Sequence, residues 1–185
     1  NLRKEGCTVI FNGRKNIPKN PNYLRADVTK KNDCQKLIKT IIKKHGKLDI
    51  LICNVGSGRS AKPGDETFED WQQSFSVNLW STINLIASAR ENLALSKGSI
   101  VCVSSICGLE VIPGAPITYS VAKAALIGGA DCLGVATLEE GIQLRNAGLK
   151  CHILILGNLI NAEELYASFC WDLIPTISGI REAII

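Results

Sequence analysis

Three observations predict an α/β fold, with a parallel sheet covered by helices on both sides. Short apolar runs alternate with longer helical stretches. The later runs are apolar almost throughout, as in strands buried on both faces. Small or polar residues follow each run closely, where loops leave a sheet. The chain has 185 residues, 46% hydrophobic and 21% charged, which suits one compact domain spanning 1–185.

The elements follow in order. Residues 7–11 (CTVIF) form a β-branched run ended by Asn12-Gly13-Arg14, and 23–28 (YLRADV) form a weaker one. Residues 48–55 (LDILICNV), 99–105 (SIVCVSS) and 149–156 (LKCHILIL) read as buried strands. Helices are predicted over 32–45, about 67–94 and about 117–147, the last interrupted by glycines. Thr67 and Asp70 have the spacing of a capping box at the start of the second helix. Strands alternating with helices imply right-handed crossovers and a doubly wound sheet in three layers.

Charge is unevenly placed. Residues 1–50 carry 13 Lys and Arg against 4 Asp and Glu, a net +9, so the rest carries −5 to reach the total of +4. Lys36, Lys39, Lys43, Lys44 and Lys47 surround the apolar pairs Leu37/Ile38 and Ile41/Ile42, the pattern of an amphipathic helix with a solvated basic face. No aromatic residues interleave them for base stacking, so a nucleic-acid partner is not expected. The eight cysteines form no CxxC and no metal-ligand cluster with the two histidines, and several lie in apolar runs. That usage predicts a reducing, cytoplasmic compartment and no bound metal. The chain has no membrane-length apolar run, and its start, NLRKEG, is not that of a signal peptide.

In open α/β sheets ligands bind beyond the carboxyl ends of the strands. The residues there are Gly13-Arg14, Asp27-Val28, Asn54-Val55-Gly56, Ser104-Ser105 and Gly157-Asn158. A further pair, Tyr119 and Lys123, lies four apart in TYSVAKAALIGG, on one face of a helix. In order and spacing these residues resemble the short-chain dehydrogenase/reductase superfamily, nicotinamide-dependent oxidoreductases with a Rossmann fold, from about residue 2 to about 161.

By that resemblance Asp27 and Val28 contact the adenine ring. Asn54, Val55 and Gly56 fall in CNVG, the counterpart of the family's NNAG, with Cys for the first Asn and Val for Ala. Asn78 in SVNLW matches the helix asparagine that anchors a water-linked proton relay. In SSICG, Ser105 fits the catalytic serine better than Ser104. Tyr119 and Lys123 match YxxxK, and the resemblance gives Lys123 a second task on the nicotinamide ribose. A free phenol, with a pKa near 10, is a poor base at neutral pH, and a fixed cation beside it favours the phenolate. The implied reaction interconverts a carbonyl and a secondary alcohol: nicotinamide exchanges hydride with carbon, Tyr119 exchanges a proton with oxygen, and Ser105 holds that oxygen. A 3-oxoacyl-carrier reductase and a sugar or polyol oxidoreductase both fit. The alternative is a non-catalytic module that senses cofactor or scaffolds a partner.

Arg14 stands where an acidic residue would accept the ribose 2′-OH of NAD, which favours the 2′-phosphate of NADP, with NAD possible. The family's TGxxxGxG turn and the strand before it do not occur in this sequence, which predicts a native protein that begins before Asn1. LGNLIN, 156–161, stands for the family's PGxIxT, leaving Gly157 and the Leu159 backbone as nicotinamide contacts. No closing strand is predicted after 161, and 162–185 falls at the substrate lid. The small residues Val121, Ala125, Gly128 and Cys132 would share the helix face opposite Tyr119 and Lys123. With residues 74–90, that face predicts a homodimer or homotetramer.

Overall fold

A computed structural model of the chain describes residues 2–17, 20–129, 132–159 and 161–177. Its elements are β1 (Phe11–Gly13), β2 (Tyr23–Arg25), α1 (Lys31–His45), β3 (Ile50–Cys53), α2 (Phe68–Phe75), a π-helical turn (Ser76–Trp80) and α3 (Ser81–Ser96). After these come β4 (Ser99–Cys102), a 3-10 turn (Ile106–Gly108), α4 (Ile117–Gly128), β5 (Cys132–Val135), α5 (Leu138–Asn146), β6 (His152–Asn158), α6 (Ala162–Cys170) and β7 (Ile174–Thr176). The class is α/β: β1 and β2 pair in parallel, β3 pairs with β4, and β5, β6 and β7 form a parallel three-stranded sheet in that order. The chain, expected as one domain, divides into two compact units.

The first unit is Asn1–Gly56 with Phe75–Val101. Helix α1 buries Cys34, Leu37 and Ile38 and exposes Lys36, Lys39, Lys43 and Lys44, the solvated basic face that its spacing predicts. It packs on α3, whose buried side includes Leu85, Ala89 and Leu93. The Asn84 amide on α3 donates to the Thr29 carbonyl at 3.2 Å and so ties this helix to the β2–α1 turn.

The second unit is Ser57–Ser74 with Cys102–Ile185. The predicted capping box is present at α2: the Asp70 amide donates to Thr67 Oγ1 at 3.2 Å and the Thr67 amide to Asp70 Oδ2 at 3.0 Å. Behind β5–β6–β7 lies one core of Ile127, Leu133, Val135, Leu138, Leu144, Ile153, Ile155, Leu159 and Leu173. Helices α4 and α5 contribute to it directly, and Leu165 and Ala167 of α6 pack against it.

Four expectations are corrected. The predicted helix 117–147 is two helices with a strand between them. Gly128-Gly129 end α4, and CLGV pairs with β6 as Cys132↔His152 through Val135↔Ile155, because its alternation buries Leu133 and Val135. Cys132 therefore leaves the helix face assigned to it. A closing strand does follow residue 161: β7 pairs with β6, and α6 with β7 occupies the stretch read as a lid. Strand β1 begins at Phe11, not at residue 7, since its partner β2 meets it only from Phe11↔Tyr23 onward. Finally, the runs read as buried on both faces are not: β3 and β6 alternate, and β4 is exposed from Ser99 to Val101. Ile50 and Ile52 of β3 and Leu156 of β6 are exposed, while Leu51, Cys53, Ile153 and Ile155 are buried, because helices cover one face of these small sheets.

Arg145 closes the second unit. Its side chain is only 12% exposed, and its guanidinium donates to the carbonyls of Leu149 at 2.8 Å, Cys151 at 2.8 Å, Trp171 at 3.1 Å and Asp172 at 2.6 Å. It thereby joins the end of α5 to the start of β6 and to the α6–β7 turn. Arg145→Met leaves two half-buried and two exposed carbonyls short of a charged donor and should cost about 1–3 kcal/mol in urea unfolding followed by tryptophan fluorescence. Arg145→Lys keeps the charge without the fork and should recover less than half of that loss.

Candidate functional site

Lys123 is the one buried charge among the described residues of the second unit. It lies in the second turn of α4, 3% exposed, and its ammonium donates to the Val103 carbonyl at 2.7 Å. The same ammonium stands 5.8 Å from the centre of the Tyr119 ring, so the pair read from spacing alone is a physical contact. Burial pushes the Lys123 pKa down, and the Cys102 thiol acts against that. Gly108 permits the close approach of the preceding loop: a Cβ there would meet the Ala124 amide nitrogen and the Lys123 carbonyl carbon at 2.8 Å.

The two serines differ in what they hold. Ser104 Oγ donates to the Lys123 carbonyl at 3.0 Å and so serves the α4 backbone. Ser105 caps the 3-10 turn, its Oγ accepting from the Cys107 amide at 3.3 Å, and this use of a lone pair leaves its O–H free to donate.

In the first unit, β1 and β2 run parallel with Gly13 opposite Arg25, so Arg14 and Asp27 leave the sheet from the same end. Arg14 is exposed, and its carbonyl accepts from Arg25 Nε at 3.0 Å. Asp27 Oδ1 accepts from the Thr29 hydroxyl at 2.7 Å and the Thr29 amide at 3.2 Å. The Thr29 hydroxyl holds the Asp27 carboxyl below its usual range against desolvation, helped by the Thr29 amide and by the charges of Arg14 and Lys30. Val28 is buried, and Asn54, Val55 and Gly56 follow β3 exposed. A basic side chain, a fixed carboxylate and an open Asn-Val-Gly turn fit the phosphate, adenine and ribose chemistry of a nicotinamide dinucleotide.

Asn78, in the same unit, is 1% exposed and sits in the π-helical turn between α2 and α3. Nothing in the spacing predicts that turn, and π turns recur where a side chain must be re-aimed. Gly157 and Leu159 serve the β5–β6–β7 sheet. The Gly157 amide donates to the Ala136 carbonyl at 3.1 Å, where a Cβ would meet that oxygen at 2.3 Å, and Leu159 is in the core. Among the described residues no group of three or more His, Cys, Asp or Glu could hold a metal, and no helix is long and apolar enough to cross a membrane.

The family described as Enoyl-(Acyl carrier protein) reductase matches residues 4–146. The chain belongs to the short-chain dehydrogenase/reductase family. An uncharacterised oxidoreductase of Staphylococcus aureus is 31% identical over 163 residues, 80% of this chain and 66% of that protein. A short-chain dehydrogenase/reductase of Brucella ovis, solved with a partially ordered NAD, superposes with a TM-score of 0.63 at 25% identity, over 92% of this chain and 81% of that one. The Listeria oxidoreductases that this reductase-family chain matches are about twice as long as the match: it spans 50% of their length.

A second similarity overlaps the first. Residues 117–183 match the alanine racemase N-terminal domain, and an alanine racemase of Prochlorococcus marinus is 61% identical over 66 residues, 36% of this chain and 17% of that enzyme. Residues 117–146 thus satisfy both families. Strand β5 lies in the stretch that both matches cover.

Proposed function

We propose that the protein interconverts a ketone and a secondary alcohol with NAD(P)(H), using Tyr119 as general acid and base. The observation that carries this reading is the buried Lys123 ammonium, pinned to Val103 and set beside the Tyr119 ring. A cation fixed there favours the negative charge that develops on the phenol oxygen as its proton leaves. Ser105, with its O–H free, would donate to the substrate oxygen and hold it in line. Asn78 takes the relay role by the family pattern.

When bound, the nicotinamide supplies or accepts the hydride. Arg14, Asp27, Val28 and the Asn54-Val55-Gly56 turn would hold its adenosine half, and Lys123 the ribose beside the nicotinamide. An exposed guanidinium after β1, without an acidic residue beside it in the chain, favours the 2′-phosphate of NADP over the 2′-hydroxyl of NAD.

The substrate is a small carbonyl or alcohol compound, and the working form is a homo-oligomer. On α4, Val121, Ala125 and Gly128 are exposed, small and uncharged, and in the 74–90 stretch Trp80 and Ile83 are exposed. Apolar surface of this kind is suited to a two-fold contact with a second copy.

Tyr119→Phe removes the proton donor and keeps the ring. Turnover of NADPH across a panel of ketones should fall by roughly 10² to 10⁴, and unchanged turnover refutes the mechanism. Arg14→Ala should weaken NADP binding at least about tenfold more than NAD binding, since only one cofactor loses a charge-assisted contact. Calorimetric titration of both cofactors measures this, and equal weakening refutes the preference. Ala125→Arg should convert the oligomer to monomer in light scattering at micromolar concentration, because a buried unpaired charge is costly. A wild type that is already monomeric overturns the interface.

A further inference from the structure

Helix α4 carries Tyr119 and Lys123 but has no cap of its own. Its N-cap is Pro116, which offers neither a side-chain acceptor nor an amide proton, so the Ile117 amide begins the helix as an orphan donor. That amide is taken by a residue 51 positions upstream: Ile117 N donates to Glu66 Oε1 at 2.9 Å. The other carboxylate oxygen, Oε2, accepts from the Gly64 amide at 2.7 Å. One residue into the helix, Thr118 Oγ1 lies 3.1 Å from Ser60 Oγ, and Thr118 is fully buried. The 57–67 loop is therefore stitched twice to the first turn of the helix.

Glu66 is held from both sides before it reaches α4. Gly64 has φ +93°, a left-handed turn conformation that side chains rarely adopt, and the Asp65 amide closes that turn on the Lys62 carbonyl at 3.0 Å. On the other side the Thr67–Asp70 capping box starts α2. Desolvation and the nearby Asp70 work to raise the Glu66 carboxyl, but the amides of Ile117, Gly64 and Glu66 itself outweigh them and hold it below the usual carboxylate range. A carboxylate kept charged also complements the positive end of the α4 dipole.

We propose that Glu66 is a positioning residue: its two carboxylate oxygens lock the 57–67 loop onto the first turn of α4 and thereby fix Tyr119, two residues further along. This extends the function proposed above and depends on it. Glu66→Ala frees the Ile117 amide and the loop together. Glu66→Gln keeps one carbonyl oxygen, which can serve one of the two amides but not both, because its other end is a donor.

The test combines two measurements on the full chain, each with wild type, Glu66→Ala, Glu66→Gln and Tyr119→Phe. The first is hydrogen exchange of peptides covering 117–119. The second is steady-state oxidation of NADPH with ethyl acetoacetate as the carbonyl probe. Glu66→Ala should speed exchange at the α4 start about five- to tenfold, the scale of a lost N-cap. It should lower kcat roughly three- to thirtyfold with the KM for NADPH within about twofold, the signature of misplacement without lost binding. Glu66→Gln should fall between wild type and Glu66→Ala in both. Unchanged exchange in Glu66→Ala, or a kcat equal to wild type while turnover still depends on Tyr119, overturns the positioning role alone. Wild-type turnover that does not depend on Tyr119 overturns the catalytic reading of α4, and the role of Glu66 with it.

Discussion

A lysine ammonium withdrawn from water is the constraint around which the second unit is organised. Lys123 has 3% of its surface exposed, and a charge so placed is tolerated only with a partner. The partner is a backbone carbonyl, that of Val103, just past the end of β4. This choice fixes the helix against the strand end by a bond that no other side chain need supply. Ser104 adds a second bond to the same helix, and Gly108 lets the loop close on it. The chain thus spends three of the residues between β4 and α4 on holding one lysine.

Much of this was legible in the sequence, and the reasons differ by residue. The Tyr119–Lys123 contact follows from helical spacing, the capping box from residue type and interval, and the basic face of α1 from the placement of Leu37 and Ile38. These are local relations that periodicity encodes directly. The Glu66–Ile117 bond joins residues 51 apart, a relation that no local spacing encodes. The π turn around Asn78 left no trace in spacing, because one extra residue per turn disturbs a helical pattern less than its natural scatter does.

The helix predicted over 117–147 failed for a more particular reason. Residues 138–146 are helical, as expected, and 117–128 are too. The intervening CLGV is short and half buried, and period alone does not separate such a strand from one turn of buried helix. What decides it is the pairing partner, β6, whose Leu154 and Ile155 lie opposite Gly134 and Val135. Tertiary pairing overrode a weak local preference, with two glycines marking the place.

Helix α4 belongs at once to two patterns. Its Tyr119 and Lys123 meet the reductase motif, while Ile127 enters the core that β5 and β6 build in the stretch similar to the racemases. The two demands do not collide: Tyr119 stands in the first turn, and Ile127, though on the face of Lys123, lies a full turn beyond it in a helix of 12 residues. A segment with this property is a natural splice point. Each pattern finds in the one helix the residues it needs, so neither has to give up a position to the other.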